Sequence, residues 1–403
     1  MLAAGLAAAL CALVLDERDL LRISAFVVAL PLLATFVAGR ARSGLRAQRH
    51  LVPPRTPVGA HSEVHLAVRS TGRLGTGGLL LEDGVPAALG NRPRFVVERL
   101  ARHGGVLLRY PLRPVMRGVH PIGPLVVQAT DPFGLAEFGL ELAGHHRLVV
   151  TPVVVPLTGM PPGGGLGTGE QGTGRLRSGQ GEDDVIVRSY RQGDDLRKVH
   201  WRSTARRDEL MVRVEERPWR GGVTVLLDHR APAHRGSGPG SSLEYAVSLA
   251  ASACLHLQRH GQRVRLATAD GRVRAGAREV ADHSADAVLD ALAALVSSHQ
   301  RELPGGPWLT GGHDLVAVLG ATTPAGVEQL LRSRPPGVRS HAVLLDVSAW
   351  APGDAQPAAD PHDVAQLLAG AGWSVTVAGP EQPLPLVWER LCSGSARPTG
   401  ALR

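Results

Sequence analysis

Few residues in this chain stand at spacings that could do chemistry. The densest run is "VRSYRQGDDLRKVHWRSTARRDELMVRVEE", Val187 to Glu216, which sets eight basic and six acidic residues around a tyrosine and a tryptophan. Such a run could be a nucleic-acid grip, a buried active site or a surface read by another protein. Its charges net only +2, too few to neutralise a phosphate backbone. His256 and His260 stand four apart, a spacing that holds a metal when a glutamate and a third ligand accompany it; neither does, so two solvated histidines are expected. "GTGEQG" (Gly167 to Gly172) matches a dinucleotide fingerprint in form. More glycine and arginine come after it where the fingerprint needs a helix, so it reads as linker. There is no GxxxxGK[ST] phosphate loop and no G-x-S-x-G nucleophile elbow. Cys11, Cys254 and Cys392 form no zinc spacing and fit a reducing compartment without disulfides. No catalytic residue is assigned, no cofactor is expected, and no small-molecule substrate is evident.

The composition permits real cores, at 44% hydrophobic residues, and 403 residues call for two or three domains. The formal charge of +8 points to acidic partners only weakly. Of 44 basic residues only Lys198 is a lysine, a bias that reads as a GC-rich coding background. With aromatic residues at 3%, stacking platforms for bases are scarce, and nucleic acid is not expected as a partner.

The N-terminus reads as a membrane element. Met1 to Leu15 is apolar, "DERD" (Asp16 to Asp19) interrupts it, and a second apolar run spans Leu20 to Ala38 with only Arg22 inside it. Four charges at mid-membrane exclude one long span, so residues 1–40 are expected to form a transmembrane helical hairpin in the lipid bilayer. A cleaved signal peptide is disfavoured because no basic residue precedes the apolar run. Arg40, Arg42, Arg46 and Arg49 then orient the hairpin, placing the rest of the chain in the cytoplasm.

Residues 48–156 alternate with period two, as in "EVHLAV", where Val64, Leu66 and Val68 share a face. Short β-branched runs parted by Gly, Pro and Asp predict an all-β sandwich of about seven strands. Residues 157–186 form a Gly-rich linker. Residues 187–220 read as an extended arm, a short helix capped by Asp194 with Asp195 in its acidic first turn, and a strand through Leu210, Val212 and Val214. From 221 to 403 strands alternate with helices, which predicts a doubly wound, mostly parallel sheet. In such sheets ligands sit at the carboxyl ends of the strands, which directs attention to Asp228 at the end of "VTVLLD". The fold expected overall is thus multidomain α+β: transmembrane hairpin, β-sandwich, doubly wound α/β domain.

Two motifs carry a family resemblance. "RGVHPIGPLVVQATDPFGL" (Arg117 to Leu135) is one. The other is met by Arg188, Tyr190, Gly193, Asp194, Arg197, Val199, Trp201, Ala205 and Arg206, with Leu210 just beyond. With the hairpin, they make nearly the whole chain resemble the family called domain of unknown function 58. The resemblance implies a von Willebrand factor A-like α/β domain in a membrane-anchored cytoplasmic protein of no established catalytic activity. It also implies a protein partner of the MoxR-type AAA+ ATPase class. A-type domains often hold Mg²⁺ through D-x-S-x-S after the first strand. Here Asp228 is present, but Arg230 and Pro232 replace the serines and Gly320 ends the later strand, so the site is degenerate and no metal is assigned. "DVS" (Asp346 to Ser348) is a partial echo that reads as a turn. The function expected is a non-catalytic adaptor, with the signature residues as a structural clasp that a partner also reads. A metal-dependent binding module at Asp228 is the alternative.

Overall fold

The computed structural model describes residues 2–42, 44–71, 78–98, 100–101, 103–130, 137–162, 186–189, 204–206, 211–214, 222–276, 284–303, 314–334, 338–351 and 359–394. It divides into two compact units. Met1–Val154, Ser237–Ala251 and Leu289–Val296 make the first; Val155–Gly236, Ser252–Val288 and Ser297–Arg403 make the second.

The first unit opens with helices α1 (Leu2–Leu15) and α2 (Arg18–Arg42). They touch closely at Gly5, where any Cβ would fall 2.7 Å from Val28 Cγ2. The expected transmembrane hairpin is overturned here: among the described residues no helix is long and apolar enough to cross a membrane. At ~1.5 Å per residue the 14 residues of α1 span about 21 Å, short of a hydrocarbon core of ~30 Å. In α2 the apolar stretch between Arg22 and Arg40 covers about 25 Å, and Arg18, Asp19, Arg40 and Arg42 charge its ends.

Ten strands come next: β1 (Leu45–Val52), β2 (Arg55–Pro57), β3 (Ser62–Ser70), β4 (Leu79–Asp83), β5 (Arg94–Val97), β6 (Gly105–Leu112), β7 (Gly118–Ile122), β8 (Leu125–Thr130), β9 (Glu137–Ala143) and β10 (His146–Thr151). They form three sheets, ordered β1-β3-β6, β2-β10-β7 and β5-β4-β8-β9. Alternation decides which side chains go inside: Val64, Leu66 and Val68 are fully buried and join Leu45, Leu81, Val127 and Leu148 in one apolar core.

That core holds a charged knot. Arg49, read from the sequence as one of the positive flanks that orient the hairpin, is buried. It shares the inward parity of Leu45, Ala47 and Leu51 on β1 and forks onto the buried carboxylate of Asp83. Its Nη1 donates to the Ile122 carbonyl at 3.1 Å and to the Gly144 carbonyl, and meets His146 Nδ1 at 3.2 Å. Tyr110 donates its hydroxyl to Asp83 at 2.6 Å. Burial, with the Asp83 hydrogen bond and charge, drives the Tyr110 pKa far up, so it stays a donor throughout the accessible range.

The second unit contains a two-stranded antiparallel ribbon, β11 (Ile186–Ser189) with β12 (Met211–Val214). Its main sheet comprises β13 (Gly222–Leu227), β14 (Arg263–Thr268), β15 (Val273–Ala275), β16 (Asp314–Leu319), β17 (Ser340–Leu345) and β18 (Ser374–Ala378). The order is β15-β14-β13-β16-β17-β18, parallel except for the β14–β15 pair. In chain order, helices α3 (Ser242–Arg259), α4 (Ala285–Ala293), α5 (Pro324–Ser333), α6 (Pro361–Gly370) and α7 (Leu384–Ser393) come between and after these strands, residues 242–251 of α3 and 289–293 of α4 falling in the first unit. β13 and β17 are buried at every position, so the sheet is covered on both faces along these two strands. On one face Val327 and Leu330 of α5 and Val364 and Leu368 of α6 meet Leu226, Ala317 and Leu344.

Candidate functional site

The chain runs from the central strand β13 outward to β14 and β15, then returns to β16 on the other side. The carboxyl ends of β13 and β16 therefore flank the topological switch point, where sheets of this kind leave a crevice for ligands. Asp228 stands there, fully buried, its N–H bonded to the Val318 carbonyl at 2.9 Å.

The crevice is filled by the chain itself. Arg230, two residues on, turns back so that Nε donates to Asp228 Oδ1 at 2.9 Å and Nη2 to Oδ2 at 2.7 Å. The Arg230 N–H donates to Oδ1 at 3.1 Å and the Gly320 N–H to Oδ2 at 3.3 Å. A carboxylate offers about four acceptor positions, so these four donors saturate it. The guanidinium donates further to the carbonyls of Arg301 (2.8 Å) and Ala321 (3.2 Å) and to Thr322 Oγ1 (3.4 Å). A cation entering here would have to displace an arginine that is already neutralised and only 4% exposed.

Further contacts pin the loop. The short 3-10 turn Ala231–Ala233 comes directly after Arg230, and the Ala233 carbonyl accepts the Ala321 N–H at 2.8 Å. A Cβ on Gly320 would lie 2.1 Å from that same carbonyl, so only glycine fits at the end of β16. His234 Nε2 bonds the Asp228 carbonyl at 2.8 Å, and burial lowers its pKa, keeping the ring neutral. Beyond Thr322 a cavity of about 10 Å³, bordered by Leu344, Leu345 and Pro361, holds no more than a single water.

Sequence reasoning missed a second cluster, at the end of β14. Thr268 Oγ1 (2.6 Å), the Arg272 N–H (3.2 Å) and Arg274 Nη2 (2.7 Å) all donate to Asp270. Burial alone would raise the Asp270 pKa, but these donors and the Arg274 charge outweigh it and hold the group lower than usual. His229 lies 3.9 Å away at 2% exposure, and desolvation depresses its pKa. The signal was the T-x-D-x-R-x-R spacing around a turn, which puts every donor within reach of one carboxylate.

His256 corrects the expectation of two solvated histidines. It is 6% exposed, and its Nε2 bonds the Gly159 carbonyl at 2.7 Å, which also accepts Trp388 Nε1 at 3.2 Å. Trp388 meets the His256 ring edge-on at 5.8 Å, while His260 is exposed with Nδ1 on the His256 carbonyl at 2.9 Å. No group of three metal-ligating side chains occurs among the described residues.

Of the signature residues, Arg188 lies on β11, its backbone paired with Val212 of β12. Ala205 and Arg206 are exposed in a helical turn at 204–206. Tyr190, Gly193, Asp194, Asp195, Arg197 and Trp201 lie outside the described residues. "DVS" opens the 3-10 turn Val347–Trp350, its Asp346 N–H bonded to the Ala378 carbonyl.

The family model "Protein of unknown function DUF58" matches residues 186–308, spanning the β11–β12 ribbon and the Asp228 region, and supports the resemblance to that family. No curated protein matches the chain. Among solved structures, the CARDB domain of a Pyrococcus furiosus protein in complex with di-metal ions is 15% identical, covering 26% of this chain and 84% of its own, at a TM-score of 0.20. The sporulation control protein Spo0M of Bacillus subtilis is 12% identical, covering 27% and 49%, at a TM-score of 0.13.

Proposed function

We propose that this protein is a non-catalytic adaptor. Its α/β unit, von Willebrand factor A-like in organisation, and its signature segment bind a partner protein of the MoxR-type AAA+ ATPase class that the resemblance implies. The observation that carries this reading is the Asp228–Arg230 fork. It fills the crevice where a doubly wound sheet would bind a small ligand or cation, leaving the surface as the part free to act. Exposed Arg206 on its helical turn supports the same reading, because arginine is enriched at the centres of protein interfaces. The test is co-elution of the purified full chain with the MoxR-type ATPase of the same cell. A complex is expected, and Arg206→Ala weakens it. Failure of the purified pair to associate, indifference to Arg206→Ala, or a saturable heat from Mg²⁺ added to the wild-type protein each overturns the reading.

A further inference from the structure

The outward residues of the β1-β3-β6 sheet form rows across its three strands. Arg46 stands opposite Arg69. Gln48 stands opposite Ala67, which faces Leu107. His50 stands opposite His65, which faces Arg109. Arg46, Arg69 and Arg109 are exposed and form no ion pair with another described residue. The one acid on this face, Glu63, is engaged by His65 Nε2 at 2.8 Å. Like charges directly opposed across strands cost stability. The β5-β4-β8-β9 sheet of the same unit avoids that cost, setting Glu82 opposite Arg94 at 3.0 Å.

We propose that the β1-β3-β6 face binds an extended acidic segment of a partner protein, with two carboxylates flanking an apolar residue at alternate positions. Arg69 and His65 are four residues apart on β3, which separates the two basic rows by ~14 Å at ~3.4 Å per residue. The row between them is uncharged and presents Leu107, 53% exposed. In an extended peptide, residues i and i+4 span the same distance on one side, with i+2 between them. An acidic-x-apolar-x-acidic strand thus sets a carboxylate over each basic row and an apolar side chain on Leu107. Nucleic acid fits this face less well: its outward residues include no Phe, Tyr or Trp to stack a base, and Leu107 would face a phosphate. The site is independent of the AAA+ partner and of Arg206.

The experiment is fluorescence anisotropy of the full-length protein with a labelled peptide carrying a Glu-Thr-Leu-Thr-Glu core. Saturable binding that weakens with salt is expected. Gln-Thr-Leu-Thr-Gln and Glu-Thr-Gly-Thr-Glu peptides should bind at least about fivefold more weakly. Arg69→Gln and Arg109→Gln should each weaken binding by a similar factor, while Arg94→Gln on the other sheet leaves it unchanged. The melting temperature of Arg69→Gln should equal or exceed that of the wild type, because the substitution relieves repulsion with Arg46. The proposal is overturned if no saturable binding occurs, if the glutamine peptide binds equally, or if Arg69→Gln binds normally or melts lower. Preferential binding of an oligonucleotide or an anionic vesicle, with the same dependence on Arg69, overturns it in favour of that partner.

Discussion

Two buried arginine–aspartate forks, one in each unit, use the same chemistry for different ends. Arg49 and Asp83 are 34 residues apart, and the fork with its carbonyl partners draws on all three sheets of the β-rich unit. Arg230 and Asp228 are two residues apart, and their fork closes a crevice at strand ends. The first holds layers together; the second occupies a space that a ligand would otherwise take. A buried ion pair is thus no sign of function by itself. What it spans decides what it does.

Removing one partner should separate the two forks by size. Asp83→Ala leaves the Arg49 guanidinium uncompensated between layers and should cost about 4 kcal/mol in denaturant unfolding. Arg230→Ala should cost less, about 3 kcal/mol, because Asp228 keeps the backbone donors of residues 230 and 320. If Arg230→Ala proves the more damaging, the second fork is structural in the same sense as the first and the distinction fails. Tyr110→Phe, which takes a single donor from Asp83, should cost about 1.5 kcal/mol. Exposed Arg94→Gln should cost under about 0.5 kcal/mol.

Acid should act through the second unit's histidines. Burial lowers the pKa of His229, His234 and His256, and that of His341 to about 4. Each ring binds a proton more weakly folded than unfolded. Stability contributed by these neutral rings is therefore present above about pH 6.5 and lost as pH falls below it. For His341 the loss continues to about pH 4. Unfolding measured between pH 7 and 4 checks this, and His341→Gln should flatten the lower part of the curve.

Much of the layout is legible in the sequence because it rests on periodicity. "EVHLAV" names its inward set directly, and "VTVLLD" marks a strand that the structure places at Gly222–Leu227. Arg49 escapes any reading that weighs charge before parity: it sits two residues from Ala47 and from Leu51, on their side of the strand. His256 escapes because its partner, the Gly159 carbonyl, lies 97 residues away and no local pattern announces it. The N-terminal helices are legible as helices, but their apolar length has to be weighed against the thickness of a bilayer. That Arg230 and Pro232 stand after Asp228, and Gly320 at the end of the later strand, is readable directly. That the arginine itself occupies the place is not, because it depends on the chain turning back through Ala231–Ala233.

The fit of Gly320 against the Ala233 carbonyl limits what can stand at the end of β16. Placing an acidic residue at the end of β16 would drive its Cβ to 2.1 Å from that oxygen, while Arg230 still held Asp228. Building a cation loop here by single substitutions would therefore pass through variants that fold poorly before any could bind. The arrangement works as a latch: the turn over the glycine has to open before the end of β16 could offer a carboxylate to anything.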